Sequence, residues 1–268
     1  MGNQPHLSMI HFFRKIRQQL LTENKVSKYL LYAIGEIILV VIGILIALSL
    51  NTWKEDLDDR GEEMRILSGL KQEFEVNLKE ITRNIELNTS TVKANMAILD
   101  QIRKEQPFAN QSYIDSLLFE LNMYGSFDAQ TGLIDEVISS GKLSIIKDDH
   151  LRNRLTSISG ILDNAEEDYE IRRNYFMDHV LPYLSKYFQL VNVDRYMNFT
   201  SWSTTYKTKK IAKSIFEAKY AEVDLLQLEN LIFNHKINND FVNLNEFTLR
   251  AFFSETLEII NNNLKTLK

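Results

Sequence analysis

Residues 30–50 read LLYAIGEIILVVIGILIALSL, twenty-one residues with one ionisable side chain, Glu36. At about 1.5 Å per residue, a helix of this length covers roughly 30 Å, the hydrocarbon thickness of a bilayer, so the run is predicted to be a transmembrane helix. Glu36 does not forbid insertion. A carboxylate deep in a span costs about 2.5–3.5 kcal/mol, whereas the fourteen Leu, Ile and Val residues contribute about 0.3–0.6 kcal/mol each, roughly 4–8 in all. Tyr29 and Tyr32 at one end and Trp53 at the other stand where interfacial aromatic anchors are enriched.

The flanks orient the run. Residues 1–28 carry Arg14, Lys15, Arg17, Lys25 and Lys28 against Glu23 alone, whereas residues 54–63 hold six acids and two bases. By the positive-inside rule the expected layout is a basic cytoplasmic segment over 1–28, a span with its interfacial residues over 29–53, and an extracytoplasmic domain over 54–268. In a bacterium with two membranes that domain is periplasmic. The rival reading is a cleaved secretory signal, with Ala47 and Ser49 as the small residues of a cleavage site. Against it, the apolar run exceeds the ~7–15 residues of a signal core, contains Glu36 and follows a long basic lead. Within that lead, HFFRKIRQQLLTENK (11–25) sets Phe13, Ile16 or Arg17, and Leu20 at helical spacing. Two readings stand, an interfacial helix on an anionic leaflet and a tail that only sets topology.

The chain of 268 residues leaves over two hundred after the span, enough for one domain with its own core. A net charge of -5 gives no basic footprint for nucleic acid, and none is expected as a partner. The absence of cysteine excludes disulfides, thiolate metal sites and a cysteine nucleophile.

After the span, Leu67, Leu70, Phe74, Leu78, Ile81, Ile85, Val92, Leu99 and Ile102 recur at threes, fours and sevens until Pro107, predicting a long amphipathic helix. Only Gly61 and Gly69 could interrupt it, so continuation of the membrane helix as a stalk is expected. A short helix over 112–124 precedes the turn-rich GSFDAQTG, and Thr131 is placed to cap a brief helix to Ser140. Gly141 suits a helix C-terminus, and Asp148 or Asp149 an N-cap. The next helix keeps a seven-residue rhythm through Leu151, Leu155, Ile158, Leu162, Ala165, Tyr169, Phe176, Val180, Tyr183 and Tyr187, with Arg173 interrupting it and Pro182 kinking it. Residues 189–208 read as irregular. A last helical region, 209–264, carries Leu225, Leu228, Ile232, Phe241, Leu244, Phe252 and Ile260, with a break expected near Asn238 and Asn239. No alternating strand pattern occurs, so the fold class is all-α, a helical bundle carried by one N-terminal membrane helix.

Along the span, Ala33, Glu36, Val40, Gly43 and Ala47 step by three and four and share one face. Small residues permit close helix approach, and a carboxyl group in lipid gains most from a partner, so this stripe reads as an association face. The alternatives are a titrating group on an ion path and a carboxyl with only a packing role. His6, His11, His150, His179 and His235 lack metal-ligand spacing and read as solvated or capping residues; no metal or other cofactor is expected. SSGK (139–142) fails as a phosphate loop, since Glu136 stands where glycine is required and Leu143 replaces Ser or Thr. Residues 195–220 interleave Arg195, Lys207, Lys209, Lys210, Lys213 and Lys219 with Tyr196, Phe199, Trp202, Tyr206, Phe216 and Tyr220. The expectation there is a solvated basic face with its aromatics turned to the core; contact with anionic lipid or an acidic partner is the alternative.

The stretch FFRKIRQQLLTENKVSKYLLYAIGEIILVVIGILIALSLNTW (12–53), with YAIGEI, VVIGILIAL and the following Asn51 and Trp53, resembles the N-terminal signature of a family of uncharacterised bacterial membrane proteins, classed as a domain of unknown function. The later SSGKLSII (139–146) resembles it too. The resemblance implies a single-span envelope protein with an extracytoplasmic helical domain, and it implies no activity; the expected location is the bacterial inner membrane. The expected function is therefore a non-catalytic interaction, sensory or scaffold protein. Its expected partners are the lipid bilayer and a second copy or another membrane protein met through the span. An accessory role in an ion-coupled or transport complex through Glu36 is the alternative, followed by a membrane-anchored enzyme.

Overall fold

The computed structural model describes residues 26–123, 125–198 and 205–267, and among them are six α-helices and no strand. The chain divides into two units, Met1–Glu62 and Glu63–Lys268. The first helix, α1 (Val26–Ile102), is continuous through the end of the first unit and into the second. Gly61 and Gly69 do not interrupt it, since each glycine costs a helix only about 1 kcal/mol and no proline intervenes. Its apolar stretch contains a segment long and apolar enough to cross a membrane, none of it buried.

In the second unit, α1 is followed by α2 (Gln111–Asn122), α3 (Gly132–Ser139), α4 (Asp149–Tyr175), α5 (Leu181–Tyr187) and α6 (Leu225–Leu267). Helix α6 runs antiparallel to α1, as Phe74 meets Phe253, Asn88 meets Glu246 and Asn95 meets His235. Helix α4 runs parallel to α1, since Lys147, just before its start, meets Glu63 and Arg172, near its end, meets Asn88. Between them the chain returns along α1 as a broken fourth member, made of α2, an extended stretch and α3. This is an up-down-up-down bundle with one interrupted element.

The long helices meet through continuous seams stepped by three and four. On α1 the buried positions include Leu67, Leu70, Phe74, Asn77, Ile81, Asn84, Asn88, Thr91, Asn95, Ile98 and Ile102. On α6 they are Leu228, Ile232, His235, Asn239, Val242, Glu246, Leu249, Phe253, Thr256 and Ile260. A mean step of three and a half residues is the geometry of supercoiled bundles. The apolar members form two clusters, one around Phe74, Leu155 and Phe253 and one around Leu118, Val180 and Ile232. Polar side chains fill the seams between them.

Helix α1 also holds the broken member by its backbone. Glu63 accepts from the Lys147 amide at 2.6 Å, and Asn77 both donates to the Gln130 carbonyl (2.7 Å) and accepts from the Gln130 amide (2.8 Å). Thr131 is the N-cap residue of α3, but its hydroxyl donates to Asp135; the free amides of Leu133 and Ile134 are taken by Glu73 instead. Gly141 ends this element at φ 75°, a left-handed conformation that suits glycine. Asp148 caps α4 by accepting from the Leu151 amide.

Several sequence expectations need correction. The seam residue of α4 between Tyr169 and Phe176 is Arg172, 2% exposed, whereas Arg173 faces solvent. A π-helical turn over Phe176–Val180 directly precedes α5, whose first turn holds Pro182. Residues 209–224 are irregular apart from one short turn, and α6 passes Asn238 and Asn239 unbroken, because the Asn239 amide is absorbed inside the bundle. Phe241 and Leu244 lie outside the core, at 54% and 61% exposure.

Candidate functional site

The centre of the domain is a buried polar belt. Glu246 of α6 is fully buried and accepts two hydrogen bonds on one oxygen, Oε1, from Asn88 of α1 and Tyr169 of α4, both at 2.6 Å. Its other oxygen, Oε2, has no hydrogen-bond partner. Asn88 uses its own oxygen to accept from Arg172 Nη1 (2.8 Å) and from the Gly125 amide (3.2 Å), while Arg172 Nη2 donates to the Gly125 carbonyl (2.8 Å). The broken member is thereby held at Gly125 by an amide and a guanidinium together. A side chain at 125 would have to displace Asn84, since a Cβ there would lie 2.2 Å from Asn84 Oδ1.

Burial pushes the Glu246 carboxyl up to about 7, against the opposing influence of Tyr169, Asn88 and Arg172, because a charged carboxylate is disfavoured away from water. The Tyr169 hydroxyl is driven above its ordinary range by burial and by the adjacent Glu246. Asn84 approaches that hydroxyl without completing a hydrogen bond. Towards the second apolar cluster, Asn95 donates to the Thr91 carbonyl at 2.8 Å, which leaves its oxygen facing His235 Nδ1 at 3.0 Å. His235 must then carry its proton on Nδ1 and accept from Asn239 on Nε2 at 3.2 Å. Burial, followed by the charge of Arg172, lowers this imidazole to about 3, so it is neutral. His235 is thus a core residue, not the solvated or capping one expected from sequence.

The sequence pattern already contained this belt. Asn84, Asn88, Thr91 and Asn95 continue the three-four step of the apolar seam, and that continuation is the signal which a hydropathy reading passes over. Next to the belt, a half-open cleft of about 290 Å³ is bordered by Glu80, Arg83, Asn84, Gly125 and Asp128. Among the described residues, no three His, Cys, Asp or Glu side chains gather as a metal-binding group.

The residues expected to work in the span lie on α1 in the first unit. Ala33 and Glu36 are half-exposed, and Val40, Gly43 and Ala47 are exposed. Nothing stands within 4 Å of where a Cβ on Gly43 would be. Lys28, Tyr29 and Tyr32 fall within the helix, and Trp53 is 62% exposed. Arg14, Lys15, Arg17 and Lys25 lie outside the described residues.

A family model matches residues 36–174, more than half of the chain, from Glu36 through the seam of α1 and most of α4. The chain belongs to DUF6090, a family of unknown function. The DUF6090 match takes in Asn88, Gly125, Tyr169 and Arg172 of the belt, whereas His235 and Glu246 lie beyond it. No curated protein and no solved structure matches the chain.

Chemically, the belt joins one permanent cation, one carboxyl and several amides inside a closed bundle. Its polar contacts close only when residues 88, 169 and 246 stand level. Buried polar groups of this kind select one register among the many that an apolar heptad seam permits.

Proposed function

We propose that this protein is a single-pass, membrane-anchored interaction or scaffold protein of the bacterial inner membrane, without catalytic activity, whose N-terminus is cytoplasmic and whose helical domain is periplasmic. The unburied apolar stretch of α1 carries this reading. Leu31, Leu39, Ile37 and Leu48 are 59–78% exposed on a helix whose remaining half is well packed. Such exposure in water is costly, at about 25 cal/mol per Å² of apolar surface, and lipid removes that cost. The basic lead and the acidic 54–63 segment support the orientation.

The outer face of α6 supports an interaction role for the domain. Leu226, Phe233, Phe241, Leu244 and Phe247 stand 44–68% exposed opposite the buried seam. Several large apolar side chains exposed along one helix face are a feature of contact surfaces in folded proteins. In the bilayer, Ala33, Glu36, Val40, Gly43 and Ala47 form the face through which spans associate, with Glu36 hydrogen-bonding across the pair. Förster transfer between labelled full-length chains in vesicles tests this. Wild type is expected to associate and Glu36→Leu to associate several-fold less; a monomeric wild type would contradict the association face.

A further inference from the structure

Between α5 and α6, three large apolar side chains of residues 211–216 turn outward. Ile215 is 90% exposed, Phe216 76% and Ile211 63%. Of the aromatics expected to turn inward, Tyr196 packs on Phe119 and Tyr220 on Phe108 and Phe188, whereas Tyr206 and Phe216 turn outward. Phe199 and Trp202 lie outside the described residues.

The outward placement is built into the domain. The Ile211 amide donates to Asp194 Oδ2 (2.8 Å), the Ser214 amide to Asn192 Oδ1 (2.9 Å) and the Lys219 amide to the Tyr187 carbonyl (2.9 Å), while Gln189 donates to the Phe216 carbonyl. Lys210 is drawn back onto the Asp194 carbonyl at 2.6 Å. The backbone is therefore fastened at several points while Ile211, Ile215 and Phe216 project away from it.

Around them stand Lys207, Lys209 and Lys213, all exposed, with Glu217 as the only acid between 205 and 219. The nearby arginine, Arg195, is occupied by Asp115 at 2.6 Å. The choice of cation separates two kinds of partner. Protein interfaces are enriched in Arg and depleted in Lys, because the guanidinium fork matches a fixed carboxylate. Lysine, a mobile point charge, suits the diffuse negative potential of lipid headgroups. Exposed aliphatic and aromatic tips among lysines have the composition of a segment that settles at the headgroup–acyl boundary.

We propose that residues 205–216 form a bilayer-docking loop, in which Ile211, Ile215 and Phe216 enter the interface of an anionic membrane and Lys207, Lys209 and Lys213 lie among its headgroups. The proposal is independent of the orientation of the span and of any association through it.

The test uses the full chain in nanodiscs of neutral phosphatidylcholine, mixed with vesicles that contain phosphatidylglycerol or only phosphatidylcholine, and followed by flotation. Wild type is expected to capture anionic vesicles, less well as salt is raised, and to ignore neutral ones. The triple variant Lys207→Glu/Lys209→Glu/Lys213→Glu and the double variant Ile215→Ser/Phe216→Ser are each expected to reduce capture about tenfold or more. Both alter exposed side chains, and unchanged circular-dichroism melts verify their fold; were the double variant to melt early, the lysine variant alone decides. Unchanged capture by the variants, or equal capture of neutral vesicles, would overturn the proposal. So would retention on polyglutamate beads without vesicle capture, which assigns the loop to an acidic protein. Entry into the discs is scored separately, and a chain that stays out of them is floated with the same vesicles directly, so failure of the anchor and failure of the loop are distinguishable.

Discussion

The amide of Asn88 and the carboxyl of Glu246 meet at 2.6 Å, joining α1 to α6 across the middle of the domain. Tyr169 of α4 closes on the same carboxylate oxygen, and Gly125 of the broken member closes on the oxygen of Asn88. One amide and one carboxyl therefore tie together all four members of the bundle. Apolar packing alone would tolerate a shift of a helix by one heptad; this pairing would not, since the shift strands buried donors at a cost of about 1–3 kcal/mol each.

The belt contains two titrating groups with opposite effects on stability. Glu246 rises from 4.5 to about 7, so within that window the folded state holds a proton that the unfolded state has lost, and stability falls as pH rises. His235 drops from 6.5 to about 3, so the unfolded state holds the extra proton and stability falls as pH is lowered through that window. Where the windows overlap, from 4.5 to 6.5, the two contributions cancel. Glu246→Gln removes one of them. In urea melts its stability relative to wild type is expected to climb with pH by about 1.4 kcal/mol per unit across the overlap; parallel curves would show that the carboxyl does not titrate there.

Glu246→Leu differs from Glu246→Gln, whose amide oxygen can still accept from Asn88 and Tyr169. Leucine leaves both donors buried without an acceptor, and a loss of about 2–4 kcal/mol in urea unfolding at acidic pH is expected, against less than about 1 for glutamine. Equal losses in the two variants would mean that volume, and not the hydrogen bonds, sets the contribution of this position.

Gly125 and Gly61 form a matched pair. A Cβ at 125 would meet Asn84 Oδ1 at 2.2 Å, whereas nothing lies within 4 Å of one at 61. Gly125→Ala is expected to cost about 1–3 kcal/mol by overpacking the belt, and Gly61→Ala to cost nothing, since alanine is the better helix former. Denaturant midpoints of the two variants check this.

Asn77 pairs with both backbone groups of Gln130. In Asn77→Ala, amide exchange at Gln130 and its neighbours is expected to accelerate at least tenfold, with little change in the centre of α4. Uniform acceleration across the domain would mean that the pair supports global stability and not this stretch.

Features set by neighbours in the chain were legible from the sequence. The apolar run, the all-helical pattern, Gly141 as a helix stop and Asp148 as a cap follow from local composition and backbone chemistry. The belt was not, because Asn84, Asn88, Asn95 and Glu246 look like surface residues until the three-four step is followed through them. Arg172 escapes a hydropathy reading for the same reason, and the interruption of the rhythm falls on Arg173 instead. On α6, two faces carry large apolar residues, and only the packing of α1 and α4 determines that Leu228, Ile232 and Leu249 turn inward while Phe233 and Leu244 turn out. The cap on α3 comes from Glu73, about sixty residues away, a distance at which no local pattern operates.

Topology is the most direct test of the account. Fusions of alkaline phosphatase and of green fluorescent protein to the C-terminus, after Lys268, report the side of the membrane on which the domain lies. Phosphatase activity with a dark fluorescent fusion, together with a membrane-bound product that retains its N-terminal residues, is the predicted result. Fluorescence without phosphatase activity, or a mature chain beginning after Trp53, would contradict it.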